Sequence, residues 1–305
     1  WGPQDDDDAV RAIQKALDEG VNAIDTAPIY GFGHSEELVG RAIKGRRDDV
    51  VIMTKFGLRT DIEDKAVKKF DSKDLDGKPV AICNYAKPDS VIWECEQSLK
   101  RLGVDCIDVY QLHWPDPKTP INETFQAVEK LIEQGKIRVA GVSNYDPEQM
   151  QTANGIVPLA SSQPPFSMIL RDAQQDVIPW CRQHNVGVVV YSPLQRGLLT
   201  GKFEPDHEFH EDDHRKDDPM FSSENIRRIN AFVNETLKPI AETHNATIPQ
   251  IVIAWTFEQP GITAALVGAR NEKQAADNAG AMRVDMSADE IQRIDQALDE
   301  LQLEM

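Results

Sequence analysis

Residues 21–40 read VNAIDTAPIYGFGHSEELVG. The first five, VNAID (21–25), are short and mostly apolar, the pattern of a strand buried on both faces. The strand is expected to end near Thr26, and a helical pattern runs from Ser35 to Ile43. Ser35 stands where a capping residue would, although Leu38 replaces the acid of a full capping box. Between the two elements lie Asp25 at the strand tip, Tyr30 five residues later, and Gly31 and Gly33, which give the backbone room to turn.

The same strand-then-helix unit recurs along the chain. Further strands are expected at VVIMTK (50–55), CIDVYQLH (106–113), IRVAGVS (137–143), LASSQ (159–163), VGVVVYS (186–192) and ITAALVG (262–268). Helical patterns fall at Asp8–Glu19, Asp89–Leu102, Asn122–Glu133, Pro147–Ala153, Gln174–His184, Ser223–His244, Glu272–Ala279 and Ser287–Leu301. One strand per helix implies parallel pairing through right-handed crossovers. No GxGxxG follows an early strand, which argues against an open doubly wound sheet. The expectation is an α/β chain forming a (β/α)8 TIM barrel, one domain over residues 1–305. Seven strands are visible, and the chain passes from Trp1 almost directly into a helix. The first strand is therefore expected to be missing or truncated before Trp1.

Charge and composition exclude several functions. The 305 residues carry a formal net charge of −18, so nucleic acid, which needs a basic face, is not an expected partner. No apolar run approaches the ~18–20 residues of a membrane span. No basic segment followed by an apolar one marks a secretory signal. Cys83, Cys95, Cys106 and Cys181 form no CxxC pair, fit no zinc spacing, and suit free thiols in a reducing cytoplasm. The acidic stretch HEFHEDDHRKDD (207–218) reads as a solvated surface, and no metal site is expected. Two connections are long, Gly57 to Pro88 and Gly201 to about Ser222. Both follow the C-terminal end of a strand, the face where barrels build their sites.

Several strand ends are polar where a purely structural end would be apolar. Asp25, Lys55 and His113 close three consecutive strands, and Tyr30 hangs on the loop beside them. A free phenol, with a pKa near ~10, is a poor proton donor at neutral pH. An ammonium nearby lowers that pKa, and a carboxylate keeps the ammonium charged. Lys55 and Asp25 suit those parts, and His113 can hydrogen-bond a substrate oxygen from a second direction. Such a group protonates an oxygen on which charge is building, which is what carbonyl reduction requires. None of the four can supply hydride, so a cofactor must.

DTAPIYG (25–31), MTKFG (53–57), LHWPD (112–116), GVSNY (141–145) and YSPLQRGLLTGKF (191–203) together resemble the aldo-keto reductase superfamily. SLKRLGVDCIDVYQLHWPD (98–116) and VGARNEKQAADN (267–278) extend the resemblance over almost the whole chain. It leans toward bacterial NADPH-dependent reductases of the general-stress and inositol-utilisation type, and more distantly toward potassium-channel β subunits. It implies a catalytic tetrad of Asp25, Tyr30, Lys55 and His113, with Tyr30 as general acid. It places Ser143, Asn144 and Gln163 on the nicotinamide carboxamide and Tyr191 against the nicotinamide ring. Ser192, Leu194, Arg196, Gly197, Leu198 and Lys202 would line the pyrophosphate path. Gly268, Ala269, Arg270, Gln274 and Asn278 would hold the adenosine end. Arg270 can fork onto a 2′-phosphate, which favours NADPH over NADH. Trp1, Phe56 and Trp114 would line the substrate side.

The activity so implied is reduction of aldehydes and ketones, including sugar or small reactive aldehydes, by a cytoplasmic enzyme of sugar metabolism. Two alternatives remain open: an NADP-dependent aldose 1-dehydrogenase working in the oxidative direction, and a cofactor-binding regulatory subunit. A glycosidase is disfavoured, because only Asp25 sits at a suitable strand tip and two carboxyls would be needed.

Overall fold

The seven expected strands form one parallel sheet in a computed structural model that describes residues 5–210, 213 and 215–304. In chain order, with the strands of an intervening hairpin included, they are β1 (Ala23–Asp25), β2 (Val51–Phe56), β3 (Leu58–Arg59), β4 (Val67–Lys73), β5 (Pro79–Asn84), β6 (Ile107–Leu112), β7 (Ile137–Ser143), β8 (Leu159–Gln163), β9 (Gly187–Tyr191) and β10 (Ala264–Leu266). The parallel sheet runs β1-β2-β6-β7-β8-β9-β10, each strand beside its predecessor. Sequential parallel order with helical crossovers is the architecture of a (β/α)8 barrel. Seven of its strands lie among the described residues, with β1 and β10 at the two margins. Trp1 lies outside the described residues.

The helices are α1 (Asp6–Asp18), α2 (His34–Ala42), α3 (Pro88–Leu102), α4 (Ile121–Glu133), α5 (Pro147–Asn154), α6 (Val177–Gln183), α7 (Ser223–Phe232), α8 (Lys238–Thr243), α9 (Ile248–Glu258), α10 (Glu272–Gly280) and α11 (Ala288–Glu300). A π-helical turn, Val233–Leu237, joins α7 to α8, so the expected single helix 223–244 has a defect at its centre. Ser35 does not cap α2. Gly33 holds the cap position at φ +100°, and the Ser35 hydroxyl pairs with that of Thr26 at 2.8 Å. Helix α9 has no counterpart in the sequence reading. Residues Ile251 to Thr256 are all buried, so it shows no polar face, and the Trp255 indole donates to Asp295 of α11 at 2.9 Å.

The barrel interior is set by register. Lys55 pairs with Gln111, Gln111 with Gly141 and Gly141 with Ser161. These four positions form one level. A Cβ on Gly141 would lie 2.4 Å from Ser161 Oγ and 2.8 Å from Gln111 Cγ, so only glycine leaves room for the two polar neighbours. Alternation then sends Phe56 the other way from Lys55. Phe56 stacks on Tyr110 at 4.5 Å, and the Tyr110 hydroxyl donates to the Val91 carbonyl of α3. Phe56 is 1% exposed and belongs to the core between sheet and helices, not to a substrate wall.

The long connection after β2 is not an irregular loop. Strands β3, β4 and β5 make a three-stranded antiparallel sheet in the order β3-β5-β4. Ala66, Ala81, Cys83 and Tyr85 form a small core of its own. Lys118 Nζ donates to the Ala66 carbonyl at 3.2 Å, and the Ala86 amide donates to Asp116 at 2.9 Å. Both contacts tie the hairpin to the loop that follows β6.

Candidate active site

The polar strand ends converge. Lys55 is fully buried, and its ammonium donates to Asp25 Oδ2 at 2.5 Å, to the Thr26 carbonyl at 2.9 Å and to Tyr30 Oη at 3.4 Å. Tyr30 reaches this point from a tight turn in which Gly31, Phe32 and Gly33 all have positive φ. Its ring meets that of His113 edge-on, with centroids 5.8 Å apart. The residue is 39% exposed at the rim, while its hydroxyl reaches inward to Lys55.

Electrostatics refine the expected roles. Burial disfavours the Lys55 ammonium, but Asp25 and then Tyr30 more than offset it, and its pKa rises. Tyr30 behaves differently from the expectation. Burial raises its pKa most, Lys55 pulls it down, Asp25 pushes it up, and the net shift is upward. The phenol is therefore fully protonated at neutral pH. His113 is driven well below its usual pKa by burial, and further by the charges of Lys55 and Lys69. It is a neutral imidazole with one N–H to donate.

Asp25 is held on its other oxygen by two residues from distant strands. Gln163 Nε2 donates to Oδ1 at 2.8 Å and Gln111 Nε2 at 3.3 Å. Gln111 and Thr26 were not foreseen. Strand parity would have found Gln111, which occupies the register position beside Lys55.

The expected cofactor wall is continuous with this group. Ser143 Oγ donates to the Gln163 carbonyl at 2.8 Å, and Asn144 Nδ2 donates to Ser143 Oγ and to the His113 carbonyl, each at 3.0 Å. The Tyr191 hydroxyl donates to Asn144 Oδ1 at 2.9 Å, and burial pushes its pKa up to about 12. Beyond β9 the chain enters a stretch of left-handed conformations at Ser192, Gln195, Arg196 and Gly197. A Cβ on Gly197 would lie 2.9 Å from Lys202 Nζ. Leu194 is half-buried against the core, and Leu198 is buried within it at 1% exposure, so Leu198 does not present its side chain to the path.

The acidic 207–218 stretch is more than a solvated surface. Phe209 packs on Phe203 and Phe221 at 5.3 and 5.5 Å, and His207 packs on Phe209 at 4.6 Å. Arg215 lies over the Phe203 and Phe209 rings and donates to the Arg196 carbonyl at 3.2 Å. Asp218 pairs with Arg196 and Asp213 with Arg215. Lys202 is different. Among the described residues no carboxylate lies within ion-pair distance of it, and burial, then Arg215, lower its pKa. An exposed ammonium of this kind, beside a glycine-bearing left-handed turn, fits an anionic diphosphate.

The residues expected at the adenosine end are also brought together. The Arg270 amide donates to Gln274 Oε1 at 2.8 Å, Asn278 Nδ2 donates to the Gly268 carbonyl at 3.1 Å, and Asn271 caps α10. Ala269 lies between Gly268 and the exposed Arg270 at the mouth of that helix. Trp114 follows His113 at the rim and carries the Lys69 ammonium over its ring at 3.2 Å.

The aldo/keto reductase family profile matches residues 1–299. The chain belongs to the aldo/keto reductase family. It is 38% identical over 276 residues to aldo-keto reductase YhdN of Bacillus subtilis, covering 90% of this chain and 78% of that one. The NADH-specific methylglyoxal reductase of Escherichia coli is 33% identical over 272 residues, 88% of this chain and 80% of the relative. Among solved structures, the glycerol dehydrogenase AKR11B4 from Gluconobacter oxydans matches with a TM-score of 0.89 at 38% identity, over 99% of this chain and 88% of that one. This aldo/keto reductase is an NAD(P)H-dependent oxidoreductase that interconverts carbonyl compounds and alcohols. Among its described residues no helix is long and apolar enough to cross a membrane.

Proposed function

We propose that the chain reduces aldehydes and ketones with NADPH, small reactive and sugar aldehydes among them, and that Tyr30 is the general acid. The observation that carries this reading is the Lys55 ammonium, which bridges Asp25 and Tyr30 beside a neutral His113. The reduced nicotinamide, when bound, supplies the hydride. His113 orients the carbonyl oxygen through its N–H. Tyr30 gives its proton to that oxygen, and Lys55 stabilises the phenolate left behind. Asp25 keeps the ammonium in place.

Ser143, Asn144 and Gln163 would hold the carboxamide, and Tyr191 would face the ring. Lys202, Arg196 and the backbone at Ser192, Leu194, Gly197 and Leu198 would take the pyrophosphate. The cluster of Gly268, Ala269, Arg270, Gln274 and Asn278 would hold the adenosine, with Arg270 on a 2′-phosphate. Trp114 would form one side of the substrate opening. Buried thiols at Cys95 and Cys181 suit a reducing compartment, and we place the enzyme in the cytoplasm.

A second reading, oxidation of a polyol or aldose, is favoured by the 0.89 TM-score to a glycerol dehydrogenase. The two directions share one site and are separated by assay. NADPH consumption is followed with methylglyoxal and glyceraldehyde, and NADP+ reduction with glycerol and glucose. Tyr30→Phe is expected to lower turnover about 10²–10⁴-fold while the dissociation constant for NADPH stays unchanged. A variant that keeps most of its rate removes Tyr30 as the acid.

A further inference from the structure

Strand β4 is paired to β5 with one break in register. Lys68 pairs with Cys83 and Phe70 with Ile82, which leaves Lys69 as the extra residue of a β-bulge. Bulges re-aim a side chain, and they occur next to active sites for that reason. Here the bulge turns Lys69 toward the rim. Its ammonium stands 3.2 Å from the centre of the Trp114 ring, next in sequence to His113. It is close enough for its charge to act on the His113 imidazole. Among the described residues no carboxylate lies within ion-pair distance of it, although the chain holds 51 acidic residues against 33 basic ones. The neighbouring Lys68, by contrast, is paired to Asp71 at 2.7 Å.

A cation is expensive to hold against an apolar ring away from water unless something compensates. The indole face supplies part of that compensation. The hairpin holds the cation at the opening, because Lys118 and Asp116 fasten it to the loop that carries Trp114.

We infer that Lys69 selects carbonyl substrates that carry an anionic group, a carboxylate or a phosphate, away from the reacting carbon. The inference rests on the carbonyl-reductase reading above. The anion would meet the Lys69 ammonium at the rim while the carbonyl lies between Tyr30 and His113. Lys69 acts on recognition and takes no part in proton or hydride transfer.

The test compares pairs that share the reacting aldehyde and differ in whether the far end carries an anion. The carboxylate arm uses 4-formylbenzoate and succinate semialdehyde against their methyl esters. The phosphate arm uses glyceraldehyde phosphate against glyceraldehyde. The wild type is expected to favour the anionic member of at least one pair by about tenfold in kcat/KM, with the difference in KM. The ratio is expected to fall toward one in Lys69→Met, to survive in Lys69→Arg and to reverse in Lys69→Glu. It should also shrink with added salt. Preference in one arm alone names the anion. Equal turnover of both members in every pair, or a preference untouched by Lys69→Met and Lys69→Glu, overturns the assignment and leaves carbonyl reduction standing. Failure to reduce any member of any pair overturns both.

Discussion

Gln163 Nε2 donates to Asp25 Oδ1 at 2.8 Å, joining residues 138 positions apart in the chain. The bond couples the wall proposed for the carboxamide to the carboxylate that fixes Lys55. Gln163→Leu is therefore expected to act on two quantities at once. Losing a hydrogen bond to a charged group costs about 1.5–3 kcal/mol, or roughly 10–150-fold. Turnover should fall by about tenfold or more, and cofactor affinity should fall with it. Stopped-flow turnover and fluorescence titration of the cofactor measure the two separately. A variant that loses affinity but keeps its rate would show that Asp25 does not depend on Gln163.

The pH profile follows from His113 and Tyr30. His113 lies well below its usual 6.5, so it stays neutral as pH falls through that value. Tyr30 lies above 10.0, so its proton is retained as pH rises toward that value. The reductive kcat/KM should show no limb near 6.5 arising from His113 protonation, nor one on the alkaline side below 10 arising from Tyr30. NMR titration of the His113 ring carbons and a pH–rate series check this. A His113 titration centred near 6.5 would contradict the assignment.

Glu94 sets a pH dependence of stability. It is 2% exposed, accepts the Gly57 amide at 3.0 Å and the Ser90 hydroxyl at 2.8 Å, and burial raises its pKa to about 7. A carboxyl whose pKa is higher folded than unfolded adds stability that is complete below the unfolded value of 4.5 and is lost as pH rises through 7. The swing is up to about 3 kcal/mol, at about 1.4 kcal/mol per unit. Glu94→Gln should remove that swing and make the protein more stable than wild type at pH 8. Urea midpoints at pH 5 and pH 8 for both proteins decide it. An equal loss in the two would clear Glu94 as the source.

Gly40 marks the crossing of α2 and α3. A Cβ there would lie 2.6 Å from the Leu102 carbonyl oxygen and 2.9 Å from its carbon, both backbone atoms that cannot rotate aside. Alanine usually favours a helix over glycine by about 1 kcal/mol. At this site Gly40→Ala is expected to destabilise by about 2 kcal/mol, because overpacking exceeds that gain. Thermal and urea unfolding measure the sign, and a stabilised variant would show that the two helices can separate at no cost.

The parallel strands were legible because strands buried on both faces are short apolar runs between helical patterns. The gathering of Asp25, Lys55 and His113 was legible because parallel register brings their ends to one rim. Four things were hidden for physical reasons. Helix α9 is apolar on every face, so no periodic stripe marks Ile251 to Trp255. VKKFDSK in β4 alternates between half-buried and exposed positions, too polar to read as a strand without its partner β5. Phe56 neighbours Lys55 in sequence yet faces the opposite way, which adjacency conceals and strand parity reveals. The direction of the Tyr30 shift was hidden as well, since burial can be weighed against Lys55 only once the surroundings are known.

The hairpin β3–β5 carries a core of its own, with Ala66, Ala81, Cys83 and Tyr85 packed apart from the barrel interior. The proton-handling residues stand on the barrel strands and the short turn at Tyr30, while the cation at the opening stands on the hairpin. Selection can therefore act on the two separately. On the Lys69 proposal, exchanging β4 for another sequence would change which substrates are admitted, while Asp25, Tyr30, Lys55 and His113 keep their places outside the hairpin.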